Sequence, residues 1–160
     1  MWWRLARSRF QQQKGVGNKR ALKKLVDAGE APGLLAYANG RPVGWCAVAP
    51  REIYPVLERS RILKRVDEEP VWSVVCFFVA RSHRRSGVSV SLLRAAVEHA
   101  ARRGARFLEG YPVEPSAGRM PDVFAWTGIA AGFRKAGFVE VARRSPTRPI
   151  MRMRLTRTPR

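Results

Sequence analysis

The chain has 160 residues, 31 of them lysine or arginine against 12 aspartate or glutamate, for a net charge of +19. That length is enough for one domain with a real core, spanning 1–160, and the 46% hydrophobic content is that of an ordinary globular protein. No run is long and apolar enough to span a bilayer, no secretory signal opens the chain, and Cys46 and Cys76 have neither metal-ligand spacing nor the number for a disulfide framework, so a cytoplasmic domain without membrane or metal is expected.

A field of this sign attracts polyanions: nucleic acid, acidic proteins or the phosphates of a cofactor. The basic residues are nevertheless spread along the whole chain, whereas a dedicated nucleic-acid module concentrates them.

Residues 1–17 are the least readable, and 1–4 would make at most a short, truncated edge strand. Asn18 is a suitable cap for a helix over 19–28, with Gly29 as its stop and Leu22, Leu25 and Val26 as its apolar stripe. Residues 34–38 read as a strand, Asn39-Gly40 as a hairpin turn and 43–49 as the returning strand. A short helical patch is expected over 56–59. Residues 71–80, apolar on both faces, read as a central strand.

A basic glycine loop, His83-Arg84-Arg85-Ser86-Gly87-Val88-Ser89, follows that strand, and helical periodicity over 86–103 follows the loop. Strand, turn and helix in this order make a phosphate cradle. The N–H groups of the turn and of the first helical turn lack internal acceptors and carry the positive end of the helix dipole. A ligand with a diphosphate is the natural occupant. Beyond the helix, 105–113 reads as a strand parallel to the one before it, joined by a right-handed crossover. A helical region over 122–136, strands over 138–143 and 150–155, and a flexible tail over 156–160 complete a mixed α/β sandwich around one twisted sheet.

Two segments together resemble the GNAT superfamily of N-acetyltransferases over roughly 34–155. Arg84-Arg85-Ser86-Gly87-Val88-Ser89 is similar to its Q/R-x-x-G-x-G/A signature, with Ser89 in place of the final small residue. Phe133-Arg134-Lys135-Ala136-Gly137-Phe138 is similar to its aromatic-x-x-x-Gly-Phe segment. The resemblance implies a mostly antiparallel mixed sheet with helices on both faces. It also implies acetyl-CoA or another acyl-CoA as cosubstrate and direct attack by an amine on the thioester. Arg84, Arg85, Ser86, Gly87, Val88 and Ser89 would hold the diphosphate. Phe77, Phe78 and Val79 would pair with the pantetheine amides as an added strand, and Phe133 would lie against the same ligand.

The family's usual proton donor to the leaving thiolate is a tyrosine at the position of Phe133, which has no proton to give. Another hydroxyl, Thr127 or Tyr111, is one substitute, and water is a second. A protein that binds CoA without turning over is the third outcome. For the base, Glu109 and Glu114 flank the end of the expected fifth strand of the family's sheet, and Glu109 is the better candidate; a salt bridge to an arginine is the competing role for each. His83 reads as a loop residue and His99 as a surface one. Trp45, Trp72, Trp126 and Tyr111 could line an acceptor pocket or the core. The proline-interrupted segment after the fifth strand (Pro112, Pro115, Pro121) would border the acceptor side.

The amine acceptor is not named by these residues. A cationic protein repels polyamines, so a neutral or acidic acceptor fits better. A second reading keeps the fold and takes an acidic carrier protein or a charged tRNA as partner, and a third is a non-catalytic acyl-CoA- or RNA-binding module. Many relatives dimerise, so a homodimer is an expectation of the resemblance.

Overall fold

The computed structural model describes residues 1–115 and 122–156. In chain order the elements are α1 (Arg7–Gln12), α2 (Val16–Asp27), β1 (Gly33–Ala38), β2 (Arg41–Pro50), α3 (Pro55–Glu58), β3 (Trp72–Val79), α4 (Val88–Arg102), β4 (Phe107–Gly110), α5 (Ala130–Lys135), β5 (Val139–Arg143) and β6 (Pro149–Arg154). The strands form one six-stranded sheet in the order β1-β2-β3-β4-β6-β5. Every neighbouring pair is antiparallel except β3 and β4, which the α4 crossover makes parallel.

Local chemistry accounts for most of these elements. Asn39 and Gly40 both have positive φ, at 49° and 73°, the backbone that a two-residue hairpin turn needs to match strand twist. Helix α4 buries Leu92, Leu93, Ala96 and Ala100 on one stripe. Leu92 and Leu93, at 2% and 1% exposure, each contribute about 2–3 kcal/mol by leaving water. They pack with Cys46, Val48, Val74, Phe77, Leu108, Phe133 and Met151 into the core on one face of the sheet. The other face is covered by Trp3, Tyr54, Leu57 and Leu63, which pack on Ala49, Val75, Tyr111 and Ile150.

The register of β2 on β3 shifts between Ala47, opposite Cys76, and Val48, opposite Val74. The bulge puts one more residue on β3 than on β2 at that point.

Several boundaries differ from the sequence reading. Residues 1–4 form a turn, with the Arg4 and Leu5 N–H groups both donating to the Met1 carbonyl, and β1 is the sheet edge. Gly15, at φ 78°, precedes α2 in place of Asn18. Asn18 lies inside the first turn and donates its side-chain amide to the Phe10 carbonyl at 2.9 Å, tying α2 to α1. Helix α4 starts at Val88 because Gly87 is left-handed at φ 85°. Strand β4 has only four residues, for reasons that bear on the site. The helical region over 122–136 is broken: a 3₁₀ segment, Asp122–Thr127, ends at Gly128, whose φ of 87° no right-handed helix tolerates, and α5 begins two residues later. Pro121 and residues 157–160 lie outside the described residues.

Candidate active site

Strand β3 pairs with β2 from Trp72 to Val79, but with β4 only over Trp72–Val74. Beyond Val74 the two strands part, because β4 ends at Gly110. The chain after it forms a parallel bridge between Val113 and Ile129 instead. The Val113 N–H donates to the Gly128 carbonyl at 2.9 Å, and the Ala130 N–H donates to the Val113 carbonyl at 3.0 Å. A wedge therefore opens beside residues 75–79, whose outer edge pairs with no strand among the described residues. An open strand edge presents main-chain donors and acceptors to any extended ligand with amides of its own.

Two aromatic rings of the core pack where the strands part. Phe77 and Phe133 meet edge to face at 6.1 Å, and Phe133 is fully buried. Gly110 and Gly128 sit against the Phe133 ring. A Cβ on Gly110 would stand 2.0 Å from Phe133 Cε1, and one on Gly128 would stand 2.7 Å from Phe133 Cε2. Phe78, on the opposite side of the strand, is 60% exposed.

At the end of β3 the chain makes a 3₁₀ turn, Arg81–His83, and then the basic loop. Arg85 adopts φ 63° and Gly87 φ 85°. A left-handed arginine costs roughly 1 kcal/mol or more, and such strain gathers at ligand-binding turns. The loop is tied down by the Ser86 hydroxyl, which donates to the His83 carbonyl at 2.6 Å, and by Arg84 Nε, which donates to the Val79 carbonyl at 3.2 Å. The N–H groups of residues 85–89 have no acceptor in hydrogen-bonding geometry among the described residues, whereas the Gly87 carbonyl accepts from both Val90 and Ser91. The amide-lined turn and the open edge of β3 are thus contiguous, with the positive end of α4 between them.

The carboxylate candidates sit in two separate clusters. Glu109 and Tyr111 come together at the vertex of the wedge, where Glu109 is in register with Ser73. The Tyr111 hydroxyl donates to Glu109 Oε2 at 3.0 Å, accepts from Arg51 Nη1 at 2.6 Å and contacts Ser73 Oγ at 2.8 Å. Glu109 Oε1 accepts from Arg152 Nε at 2.8 Å, and Arg152 in turn grips Asp67 with two bonds. Arg51, Ser73, Glu109 and Tyr111 are all at or below 1% exposure. Burial, followed by the Glu109 charge, pushes the Tyr111 hydroxyl far above its ordinary range. Glu114 belongs to the other cluster, paired with Arg134 and Arg143. Hydrogen bonds from Arg143 and then Arg134 hold its carboxyl below the usual range.

The remaining predicted residues are dispersed. Trp72 meets His99 at 5.8 Å, so His99 is half-buried and burial lowers its pKa. Both border a cavity of about 360 Å³ lined also by Arg4, Glu30 and Arg103, at the C-terminal end of α4, away from the amide-lined turn. Trp126 stacks on Trp3 at 5.4 Å. Cys46 is buried and its thiol is pushed up to about 12 by desolvation, and burial raises Cys76 as well. Sequence reasoning missed Arg51, Asp67 and Arg152, the partners that enclose Glu109. Their sequence separations of 58, 42 and 43 from Glu109 leave no local signal, and in a chain this rich in arginine nothing marks the two arginines destined for burial.

The model of the acetyltransferase (GNAT) family matches residues 1–117 of this chain. No curated protein sequence is significantly similar to it. Among solved structures, a GNAT-family acetyltransferase from Streptococcus agalactiae superposes with a TM-score of 0.57 at 12% identity, covering 92% of this chain and 78% of that one. The ribosomal-protein-S18-alanine N-acetyltransferase of Escherichia coli gives 0.50 at 15% identity, over 86% and 78% of the two chains. An aminoglycoside 6'-N-acetyltransferase from Acinetobacter haemolyticus gives 0.50 at 20% identity, over 82% and 80%.

Proposed function

The chain belongs to the GNAT family of acetyltransferases, and from that premise we propose that it moves an acetyl group from acetyl-CoA to a primary amine by direct attack of the amine on the thioester. The observation that carries this reading is the continuity of the open β3 edge with the amides of residues 85–89, which are unpaired among the described residues. The residues fit the nucleotide. Residues 84–89 would bind the diphosphate through N–H groups and the arginine charges, and Phe77, Phe78 and Val79 would hydrogen-bond the pantetheine as a further strand. Acetyl-CoA, once bound, supplies the activated carbonyl and a thiolate leaving group. The chain's own part is to hold the thioester in the wedge, exclude water from it and stabilise the departing charge.

Glu109 and Tyr111, the first catalytic candidates, act in this reading as positioning residues. Their closed network braces the Ser73–Glu109 rung, one before the last that β3 and β4 share, and so supports the vertex of the wedge. Glu114, ion-paired but partly exposed, is the candidate carboxylate within reach of solvent. The acceptor is neutral or acidic. Residues 1–28 carry eight lysines and arginines against one aspartate, which would draw in an amine borne on an anionic molecule and repel a polycation.

Calorimetry with acetyl-CoA on the wild type and on Gly87→Val tests the site. The Gly87 Cβ would meet no atom within 4 Å, so the variant folds, at about 1–2 kcal/mol of backbone strain for the left-handed φ. We expect its affinity for acetyl-CoA to fall tenfold or more. Unchanged affinity in a folded variant removes residues 84–89 from the binding site. Free-thiol release with a panel of neutral and acidic amines tests the reaction.

A further inference from the structure

Arg148, the residue before β6, is half-buried, and burial pulls its pKa below the ordinary arginine range. Its neighbours Arg134, Arg143 and Arg152 each hold a carboxylate, whereas Arg148 meets none among the described residues. Its guanidinium makes one hydrogen bond there, from Nη2 to the Tyr111 carbonyl at 3.0 Å, and its Nε is buried with no partner. A desolvated charge with donors to spare is costly, and a ligand of opposite charge relieves it.

The strand register shows where that head group lies. The Leu155 N–H donates to the Arg106 carbonyl, the Glu114 N–H donates to the Thr147 carbonyl, and β4 pairs with β6 in the same register between them. Residues of even number along 106–114 therefore turn their main-chain groups to β6, and the Tyr111 carbonyl turns the other way, toward β3. It lies just past the last rung that β3 and β4 share, Val74 with Gly110. Arg148 alternates with Ile150 and Arg152 on the face of the sheet opposite α4. Its side chain thus crosses the strand on that face and sets the guanidinium at the mouth of the wedge. Phe77 and Phe133 pack on the α4 face, while Phe78 on the opposite face is 60% exposed. The face that carries Arg148 is therefore the one an acceptor can approach.

We infer that the acceptor is an amino acid, an amine with a carboxylate beside its nitrogen, and that Arg148 binds this carboxylate. The inference rests on the acetyl-CoA reading above. The guanidinium keeps Nη1 and the second N–H of Nη2 for a ligand, a planar fork that matches the two oxygens of a carboxylate. A nitrogen one carbon from that carboxylate is delivered to the opening where the thioester would lie. In the transfer the nitrogen bonds to the acetyl carbonyl carbon and the C–S bond breaks with its electron pair on sulfur. The proton shed by the nitrogen reaches the thiolate through solvent, and the carboxylate stays paired with Arg148 throughout. An amino acid zwitterion has no net charge, or a negative one when its side chain is acidic, so the basic surface does not repel it.

The test is free-thiol release from acetyl-CoA with a panel of L-amino acids and with the α-amide of each, for the wild type, Arg148→Met and Arg148→Lys. We expect the wild type to acetylate at least one free amino acid and to use its amide roughly 30-fold less well in kcat/KM. Arg148→Met should lose roughly 30-fold in kcat/KM toward that amino acid, chiefly through KM, and should no longer distinguish the acid from the amide. Arg148→Lys, which keeps the charge and loses the fork, should fall between the two. Affinity for acetyl-CoA by calorimetry should agree within about twofold among the three proteins, since Arg148 serves only the acceptor. Transfer confined to the amides, or to no amino acid by a wild type that binds acetyl-CoA, overturns the inference and leaves the donor site standing. An acid-to-amide ratio unchanged in Arg148→Met overturns it as well. Weakened acetyl-CoA binding in Arg148→Met and Arg148→Lys alike overturns it by assigning the side chain to the fold. Failure of the wild type to bind acetyl-CoA removes the acetyl-CoA reading and this inference together.

Discussion

Gly110 is where the wedge is most sensitive to a single atom. It ends β4 and accepts the Phe133 ring so closely that a Cβ would stand 2.0 Å from Cε1 and 2.5 Å from Cζ. The ring cannot retreat, because Phe77 and Phe138 hold it edge to face at 6.1 and 5.1 Å. Gly110→Ala should therefore destabilise the protein by about 3 kcal/mol, as overpacking does in a filled core. A chain of this length then melts roughly 6–12 °C lower in a calorimetric scan. A variant melting like the wild type would mean that the ring can move, and with it the wall of the wedge. At this scale the sequence was informative where backbone chemistry is local. Gly87 could be read as a turn residue because its neighbours are a strand and a helix start. Asn18 misled, because a good capping side chain was taken up by the Phe10 carbonyl of the preceding helix, and Gly15 made the turn.

Among the elements, β3 was legible as a central strand from its apolar run, and the α4 crossover followed from periodicity. The free edge of β3 at Phe77, Phe78 and Val79 was legible only through the family resemblance. It depends on how soon β4 ends, and that is decided by the Val113–Ile129 bridge and the Gly128 break, which are tertiary events. Strand β5 is tied to its surroundings by charge. Glu114 and Glu140 converge on Arg143, and Arg134 joins them. Both carboxyls are held below their ordinary values, chiefly by hydrogen bonds from Arg143. A depressed folded-state pKa contributes stability that is complete above the unfolded value, about 4.3, and lost as pH falls through the lower folded one. Arg143→Met should thus melt a few degrees below the wild type near neutral pH. The gap should persist down to about pH 5 and close at more acid pH. A gap independent of pH would assign the loss to packing of the arginine stem instead.

For the molecule as a whole, the dominant quantity is the surplus of 19 positive charges. The described ion pairs engage carboxylates that are scarce, so most lysines and arginines repel one another across the surface. Raising salt from about 0.01 M to about 0.15 M shortens the screening length from roughly 30 Å to about 8 Å. The melting temperature should rise accordingly. A fall would show that ion pairs such as Arg152–Asp67 outweigh the repulsion. The hairpin and the parallel pairing of β3 with β4 were accessible from chain order and short connections, whereas the buried Arg51–Glu109–Arg152 network was not, since composition treats every arginine as surface.

Helices α1 and α2 contain no buried residue, while Trp3, just before them, is 8% exposed and packs in the core beneath the sheet. Such a pair of helices has almost no hydrophobic stake in the native state. They can melt as a separate cooperative unit at a small fraction of the global unfolding free energy, pegged at one end by an indole and at the other by β1. The strands that carry the wedge would stay folded through each such excursion, so the front of the chain can open and reclose many times within the life of one native molecule.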